Sequence, residues 1–332
     1  MASVNSLPNE ILLEVFSYLD VYDISISVMY VCKRWNIVAR DSMLWNNLVF
    51  KVDGTMSPSK FKGIVHHLKF LKHVTLRSRK DTNDIICALV QFCPCIVGIK
   101  LKFCSDMGAD TTRKLSDSYT DLKILSFDYS SNIPSQCFDD IVFLPNLTEL
   151  NLSYTLLTSD QFRSISEACT KIVSLNINYV KGIQEEDMVV FLSPRCNCLE
   201  SLSVLGELFT DKIFQYLEKC CKLKLLRISS CTNISDTCLI SVEKMKSLKS
   251  LTLVETTKLS AIALRNFYYH SHTVRNVSHF MIRAKRKVNN SDMSVWYNNC
   301  SNIKQIHVEK YCDCVLERDG FKVYMMGESF YF

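Results

Sequence analysis

The chain has 332 residues, of which 48% are hydrophobic and 22% charged, so it has enough apolar side chains for one elongated domain or two compact ones. Its net charge of +5 is a mild excess that does not by itself predict nucleic-acid binding. No apolar run approaches the roughly 18 residues that a bilayer-spanning helix needs. We therefore expect partners other than nucleic acid or membrane.

The start of the chain indicates its compartment. Its first apolar stretch contains Glu10 and Glu14 and follows no basic leader, so we do not expect a signal peptide. The 16 cysteines are then expected to be reduced thiols, because the cytosol and nucleus keep thiols reduced. We predict a cytoplasmic location, a nuclear one, or both.

Residues 1–48 predict a compact set of short helices. Pro8 fits the first position of a helix, where its missing N–H costs nothing. Apolar residues at helical spacing follow between Ile11 and Leu19, and further segments lie near 23–29 and 31–38. About 40 residues cannot bury this much apolar surface alone, so the module needs support from the rest of the chain, a partner, or both.

Four blocks in this region carry a resemblance: Leu7-Pro8-x-Glu10-Ile11-Leu12, Phe16-x-x-Leu19, Val31-Cys32-Lys33-Arg34-Trp35 and Leu44-Trp45. In order and spacing they resemble the F-box, over about residues 5–48, with Ile24 where that family more often has Leu. The resemblance implies binding to a Skp-type adaptor and, through it, to the cullin of an SCF ubiquitin ligase. The matching positions are the implied adaptor contacts: Leu7, Pro8, Ile11, Leu12, Val15, Leu19, Val31, Cys32 and Trp35. Phe16, Trp35 and Trp45 could instead belong to the core of the module.

A second pattern recurs beyond this module, with apolar residues at the first, fourth and sixth places of a hexapeptide. Clear copies include Leu122-x-x-Leu125-x-Phe127, Leu199-x-x-Leu202-x-Val204 and Leu248-x-x-Leu251-x-Leu253. The central residues lie about 25 residues apart, a period typical of leucine-rich repeats. They are Val74, Ile99, Leu125, Leu150, Leu175, Leu202, Leu226, Leu251 and Val277.

Each copy predicts one strand followed by one helix. Helix starts are marked by residues that cap free N–H groups, namely Ser159-Asp160, Thr210-Asp211, Ser235-Asp236, Ser260 and Ser291-Asp292. The clearest copy, from Cys220 to Asp236, resembles the cysteine-containing leucine-rich repeat. We predict an α/β fold: a three-helix F-box followed by a solenoid with a curved parallel sheet on its concave side and helices on its convex side.

The domain boundaries predicted from these patterns are 1–48 for the F-box, 45–310 for the solenoid and 311–332 for a C-terminal cap or tail. The segment Trp45-x-x-Leu48-x-Phe50 itself matches the repeat, with Leu48 one period before Val74. The F-box is therefore expected to continue into the solenoid without a flexible tether.

The cysteine pairs admit a metal-binding alternative. Cys93 and Cys95, Cys196 and Cys198, and Cys312 and Cys314 are each separated by one residue. That spacing differs from the usual two to four residues of zinc sites, and no histidine pairs complete a site. Repeat phase accounts for the first two pairs, so we expect buried thiols, no metal and no cofactor.

Side chains that alternate with the buried strand positions should face a substrate on the concave side. In early repeats these are basic, as at His73, Arg77, Lys100 and Lys102. In later repeats apolar groups enter, and the candidate substrate contacts are Leu205, Leu225, Arg227, Val254, Phe280 and His307. Such an apolar patch would mark an interaction site, unless loops or the aromatic tail cover it.

No catalytic motif accompanies these features, such as a P-loop, a G-x-S-x-G elbow or an H-E-x-x-H pair. The sequence favours a non-catalytic receptor that binds a protein substrate for ubiquitination; a repeat scaffold outside any ligase is the alternative. The basic run at 283–287 is either a nuclear-import signal or a solvated loop.

Overall fold

The computed structural model describes residues 4–271, 279–283, 305–309, 317–318 and 321–326. The chain divides into two compact units, Met1–Leu156 and Leu157–Phe332, and this division falls inside the predicted repeat domain. None of the helices in the described ranges is long and apolar enough to cross a membrane.

The first unit begins with short helices. They are α1 (Asn9–Ser17), α2 (Val21–Asp23), a π-helical stretch (Ile24–Val28), α3 (Met29–Val31), α4 (Lys33–Val38) and α5 (Ser42–Asn47), after a 3₁₀ turn at Val4–Ser6. Pro8 is the residue immediately before α1, one place earlier than predicted, and its carbonyl accepts a hydrogen bond from the Leu12 N–H. Trp45 is fully buried and its Nε1–H donates to the Ala39 carbonyl over 2.8 Å, which confirms it as core.

Strands and helices then alternate in the first unit. They are β1 (Val49–Val52), α6 (Pro58–Val65), β2 (His73–Arg77), α7 (Thr82–Phe92), β3 (Gly98–Lys102), α8 (Ala109–Ser118), β4 (Ile124–Asp128), a 3₁₀ stretch (Ser135–Phe143) and β5 (Glu149–Asn151). The five strands pair in parallel in chain order. One residue of each strand lies in a shared buried row, at most 3% exposed: Phe50, Val74, Ile99, Leu125 and Leu150. The first strand is therefore centred on Phe50, two residues after the predicted Leu48.

The N-terminal helices pack directly on the first repeats. Lys72 Nζ donates to Asn46 Oδ1 over 2.6 Å, and the Trp45 ring lies 6.2 Å from that of Phe70. Strand β1 follows α5 after one residue, Leu48, which is buried. The helical module and the first strands are thus one packed body.

The second unit repeats the alternation. Its elements are α9 (Ser159–Ala168), β6 (Ser174–Ile177), α10 (Glu185–Leu192), β7 (Ser201–Leu205), α11 (Lys212–Leu217), β8 (Leu225–Ser229), α12 (Thr237–Lys244), β9 (Ser250–Val254), α13 (Ala261–His270), β10 (His279–Arg283), β11 (Gln305–Glu309), β12 (Glu317–Arg318) and β13 (Phe321–Met326). Strands β6 to β11 and β13 pair in parallel, and β12 is antiparallel to β13. Leu175, Leu202, Leu226 and Leu251 form the buried row, as predicted.

The last predicted strand centre was wrong by three residues. Phe280, not Val277, pairs in register with Leu251, and Val277 lies outside the described residues. The same pairing gives Phe280 the register position of the buried row rather than the outward position that made it a candidate substrate contact. The predicted helix start at 291–292 also falls outside the described residues, whereas Ser260 caps α13 as expected by accepting from the Ala263 N–H.

A buried carboxylate links two helices of the second unit. Asp187 in α10 has no exposed side-chain surface and accepts hydrogen bonds from Ser159, from Arg163 Nη2 over 2.7 Å and from the Gln184 N–H over 3.0 Å. Burial alone would raise the pKa of Asp187, but these hydrogen bonds outweigh it and the pKa is lowered. The charged form of Asp187 is therefore the form that stabilises the fold.

We predict that Asp187→Asn lowers the free energy of unfolding by about 1–3 kcal/mol at neutral pH, because it weakens the charge-assisted hydrogen bonds that the buried carboxylate accepts. Since the folded-state pKa is depressed, this contribution is present above the unfolded-state pKa of about 4 and is lost as the pH falls through the folded-state value. Urea-induced unfolding at several pH values measures this contribution to the free energy of unfolding. Glu167→Gln, at an exposed position in α9, is the control; a difference from wild type that does not shrink in acid would contradict the assignment.

Candidate protein-binding sites

Helix α1 carries apolar residues on two sides. Leu12 and Phe16, one turn apart, are 0% and 1% exposed and pack into the module. Ile11 and Val15, also one turn apart, are 47% and 43% exposed. Because residues four apart lie on the same side of a helix, α1 buries one stripe and leaves the other in solvent.

The remaining predicted adaptor contacts surround this exposed stripe in sequence. Pro8 and Val31 are exposed, whereas Leu7, Leu19, Cys32 and Trp35 are half-buried. Leu12 requires a correction: it belongs to the core, so its side chain has no surface to offer a partner. The F-box pattern could not separate the two roles, because Leu12 and Ile11 are neighbours of similar size.

Hydrogen bonds hold the half-buried residues in place. Cys32 Sγ accepts from the Trp35 N–H over 3.5 Å at the start of α4, and the Trp35 ring meets the Phe16 ring edge-on at 5.1 Å. Arg34 donates to Asn9 Oδ1 over 2.9 Å and to the Leu7 carbonyl. The Val-Cys-x-x-Trp block therefore fixes the Leu-Pro start against α4.

Four further exposed apolar residues in the module were missed by the sequence reasoning. Tyr18, Tyr30, Ile37 and Met43 are 66–81% exposed. Tyr18 continues the stripe of Ile11 and Val15, and this seven-residue recurrence was a signal available in the sequence. For the other three the short, interrupted helices gave no reliable phase.

The candidate substrate contacts differ in their exposure. Arg227 is exposed, Leu225 on the same strand β8 is 36% exposed, and Leu205 on β7 is half-buried. Val254 is a correction, since it is only 8% exposed although its place in β9 is an outward one. The side chains of Phe280 and His307 lie outside the part of the structure that is described.

The cysteines in the described ranges are free thiols. Burial raises the pKa of Cys93 and of Cys231 to about 12 and that of Cys169 to about 11, so these thiols stay protonated at neutral pH. Cys95, the partner of Cys93 in sequence, is exposed. Within the described ranges, no group of three His, Cys, Asp or Glu side chains is arranged to hold a metal ion.

Known proteins resemble both the N-terminal helical module and the repeats of this chain. Residues 4–51 match the model of the F-box-like family. A chain in the crystal structure of the yeast Rad7 and Elc1 complex shares the fold, with a TM-score of 0.57 and 15% identity, over 90% of this chain and 75% of that one. An internalin from Listeria monocytogenes aligns over 98% of this chain and 95% of its own, with a TM-score of 0.47 and 14% identity.

Among curated proteins, NLRC5 from Ictalurus punctatus is 27% identical over 196 residues. The match covers 55% of this chain but only 11% of NLRC5. The chain thus combines an N-terminal segment that matches the F-box-like family with strand–helix repeats of the leucine-rich type. The fold is mixed α/β, with its parallel sheet built from the repeat strands.

We predict that brief alkylation of the folded chain with iodoacetamide labels Cys95 and Cys221 before Cys93 and Cys231, because the first two are exposed and the last two are buried and protonated. Mass spectrometry of the digested chain resolves the sites. Labelling in urea, where all four should react alike, is the control; modification of Cys231 as fast as Cys221 in the folded chain would contradict the burial.

Proposed function

We propose that this chain is the substrate-recognition subunit of an SCF-type ubiquitin ligase. In this role the F-box binds a Skp-type adaptor and, through it, the cullin, while the repeats bind the protein to be ubiquitinated. The chain supplies no chemistry of its own and needs no cofactor. It acts in the cytoplasm or the nucleus.

The observation that carries the proposal is the exposed apolar stripe on α1 within a module that matches the F-box-like model. Ile11 and Val15 are nearly half exposed beside exposed Pro8, and Val31 at the end of α3 is 56% exposed. Apolar groups clustered at a protein surface mark sites where a partner removes them from water. Leu7, Leu19, Cys32 and Trp35 have part of their surface left for such a partner.

The repeats support the substrate half of the proposal. On β8, Leu225 and Arg227 present an apolar and a cationic side chain two residues apart on the same outward side of the strand. Leu205 adds a half-buried apolar side chain on the adjacent β7. We include His307 as a candidate because of its place in β11. Val254 is a weaker candidate because it is buried, and Phe280 is weaker because it pairs in register with Leu251 of the buried row.

We expect Ile11→Ser with Val15→Ser to reduce capture of the Skp-type adaptor and cullin from cells by at least tenfold. Removing anchors that a partner buries costs about 2 kcal/mol or more each. Because both side chains point away from Leu12 and Phe16, the melting temperature should change little. Quantitative immunoblots of tagged full-length chain provide the measurement.

Val190→Ser is the matched control, since Val190 in α10 is 44% exposed, like Val15, but lies outside the F-box-like module. Loss with the double variant but not with the control supports the adaptor role. Adaptor and cullin captured at wild-type levels by the double variant would overturn it. Proteins captured through the repeats without adaptor would instead favour the scaffold alternative.

A second variant tests the substrate side. Arg227→Glu is expected to lose proteins that the wild type enriches when the proteasome is inhibited, and to keep the adaptor. Lys222→Glu makes the same charge change at an exposed residue just before β8, and it should keep both. Proteomes captured by the three chains are compared by mass spectrometry; identical sets would place the substrate elsewhere on the repeats.

A further inference from the structure

A recurring backbone position in the first unit has a positive φ. The residue four places after the buried centres of β2 to β5 has φ of 54° at Ser78, 53° at Phe103, 54° at Tyr129 and 57° at Tyr154. Glycine and asparagine adopt this left-handed conformation most easily, whereas bulky side chains make it costly. Three successive repeats nevertheless place an aromatic residue there.

These three rings form a stack, here named the aromatic ladder (Phe103, Tyr129 and Tyr154). Ring centroids are 4.9 Å apart between Phe103 and Tyr129 and 4.1 Å apart between Tyr129 and Tyr154, with interplanar angles of 28° and 19°. Phe103 is 46% exposed and Tyr129 is 41% exposed. Because the inner ring faces cover each other, the surface that Phe103 and Tyr129 offer to a partner includes their ring edges.

Cations occupy the strands beside the ladder. Lys51 on β1, Arg77 on β2 and Lys100 on β3 are exposed at outward positions, and none of them forms an ion pair with a described residue. Thr75 lies between Lys51 and Lys100 in the strand register. Strands β1 to β3 contain no Asp or Glu, so no acidic side chain of these three strands offsets the three charges.

One pair of like charges on this face is partly relieved by an ion pair. Arg77 pairs in register with Lys102, and like charges opposite each other destabilise a sheet. Lys102 itself is neutralised by Asp128 on β4, 3.1 Å away. Asp128 and Glu149 are the acidic residues of β4 and β5, so the face is basic on its first three strands and acidic beyond them.

We propose that this face binds an extended acidic segment of a protein partner. Carboxylates of the segment pair with Lys51, Arg77 and Lys100, and adjacent apolar side chains of the segment contact the aromatic ladder. The inference rests on the proposed receptor function and names the chemistry of one class of substrate. Asp128 and Glu149, on the next two strands, would repel a continuous phosphate backbone running along the sheet, whereas a short acidic segment needs to reach only the first three strands.

The test is selection of a random-peptide display library against the full chain. The expected result is enrichment of peptides in which Asp and Glu stand next to apolar residues. Binding of a selected peptide, measured by fluorescence anisotropy, should weaken about tenfold or more with Lys51→Glu and Lys100→Glu combined, and should fall as salt rises. Tyr129→Asn should also weaken it, since asparagine keeps the left-handed backbone but removes a ring.

Lys62→Glu with Lys114→Glu is the matched control, because it makes the same charge change at exposed positions on helices α6 and α8. Peptides without acidic enrichment, equal loss in both charge variants, or tighter binding of a single-stranded oligonucleotide than of the selected peptide would overturn the inference. Adaptor capture is measured in parallel. If the wild-type chain captures the adaptor but the library yields no acidic peptides, only the proposed binding surface is overturned. If the wild-type chain does not capture the adaptor, the receptor function is overturned.

Discussion

The structure depends on one constraint: no strand–helix repeat can bury its own apolar strand side chains. Val74, Ile99 and Leu125 are covered because parallel neighbours bring equivalent residues into the same row, with at most 1% of each left exposed. The row fixes the strand register, and the left-handed backbone four places after the row residue recurs from Ser78 to Tyr179 and again at Ser230 and Glu255. Charges, thiols and aromatic rings can then recur at set places along the sheet without being part of its core.

The N-terminal module also has more apolar surface than it can bury by itself, and it has fewer residues with which to cover it. Its helix α1 is apolar on two sides, yet only the Leu12 and Phe16 side meets the core, while Ile11 and Val15 are left in water. Trp45 donates to the Ala39 carbonyl within the module, and its ring lies 6.2 Å from that of Phe70 in the first repeats, so it joins this small core to the repeats. The module therefore packs on the repeats on one side and leaves apolar surface exposed to solvent on the other. That exposed surface is the physical basis of the proposed adaptor role.

The fold could be predicted because its signal is repeated: Leu175, Leu202, Leu226 and Leu251 are a period apart, and the errors fall where the period weakens. The strand centre was predicted at Leu48 instead of Phe50, and at Val277 instead of Phe280, because in each case two apolar residues a few places apart fit the same repeat pattern. Val254 is 8% exposed although the alternation along its strand places it outward, and the strand pattern alone could not show this. The aromatic ladder was missed although Phe103, Tyr129 and Tyr154 share the repeat phase, because a positive φ is a property of the folded backbone.

That left-handed position has a consequence for how such a protein can change over time. Its backbone is set by the repeat, while its side chain lies outside the core, so the residue there can be exchanged with little effect on folding. The second unit illustrates the range: the equivalent positions hold Tyr179, Ser230 and Glu255, which are aromatic, small and acidic. Each repeat that has this left-handed position thus contributes one replaceable site to the surface, and binding preference can diversify one repeat at a time without redesign of the scaffold.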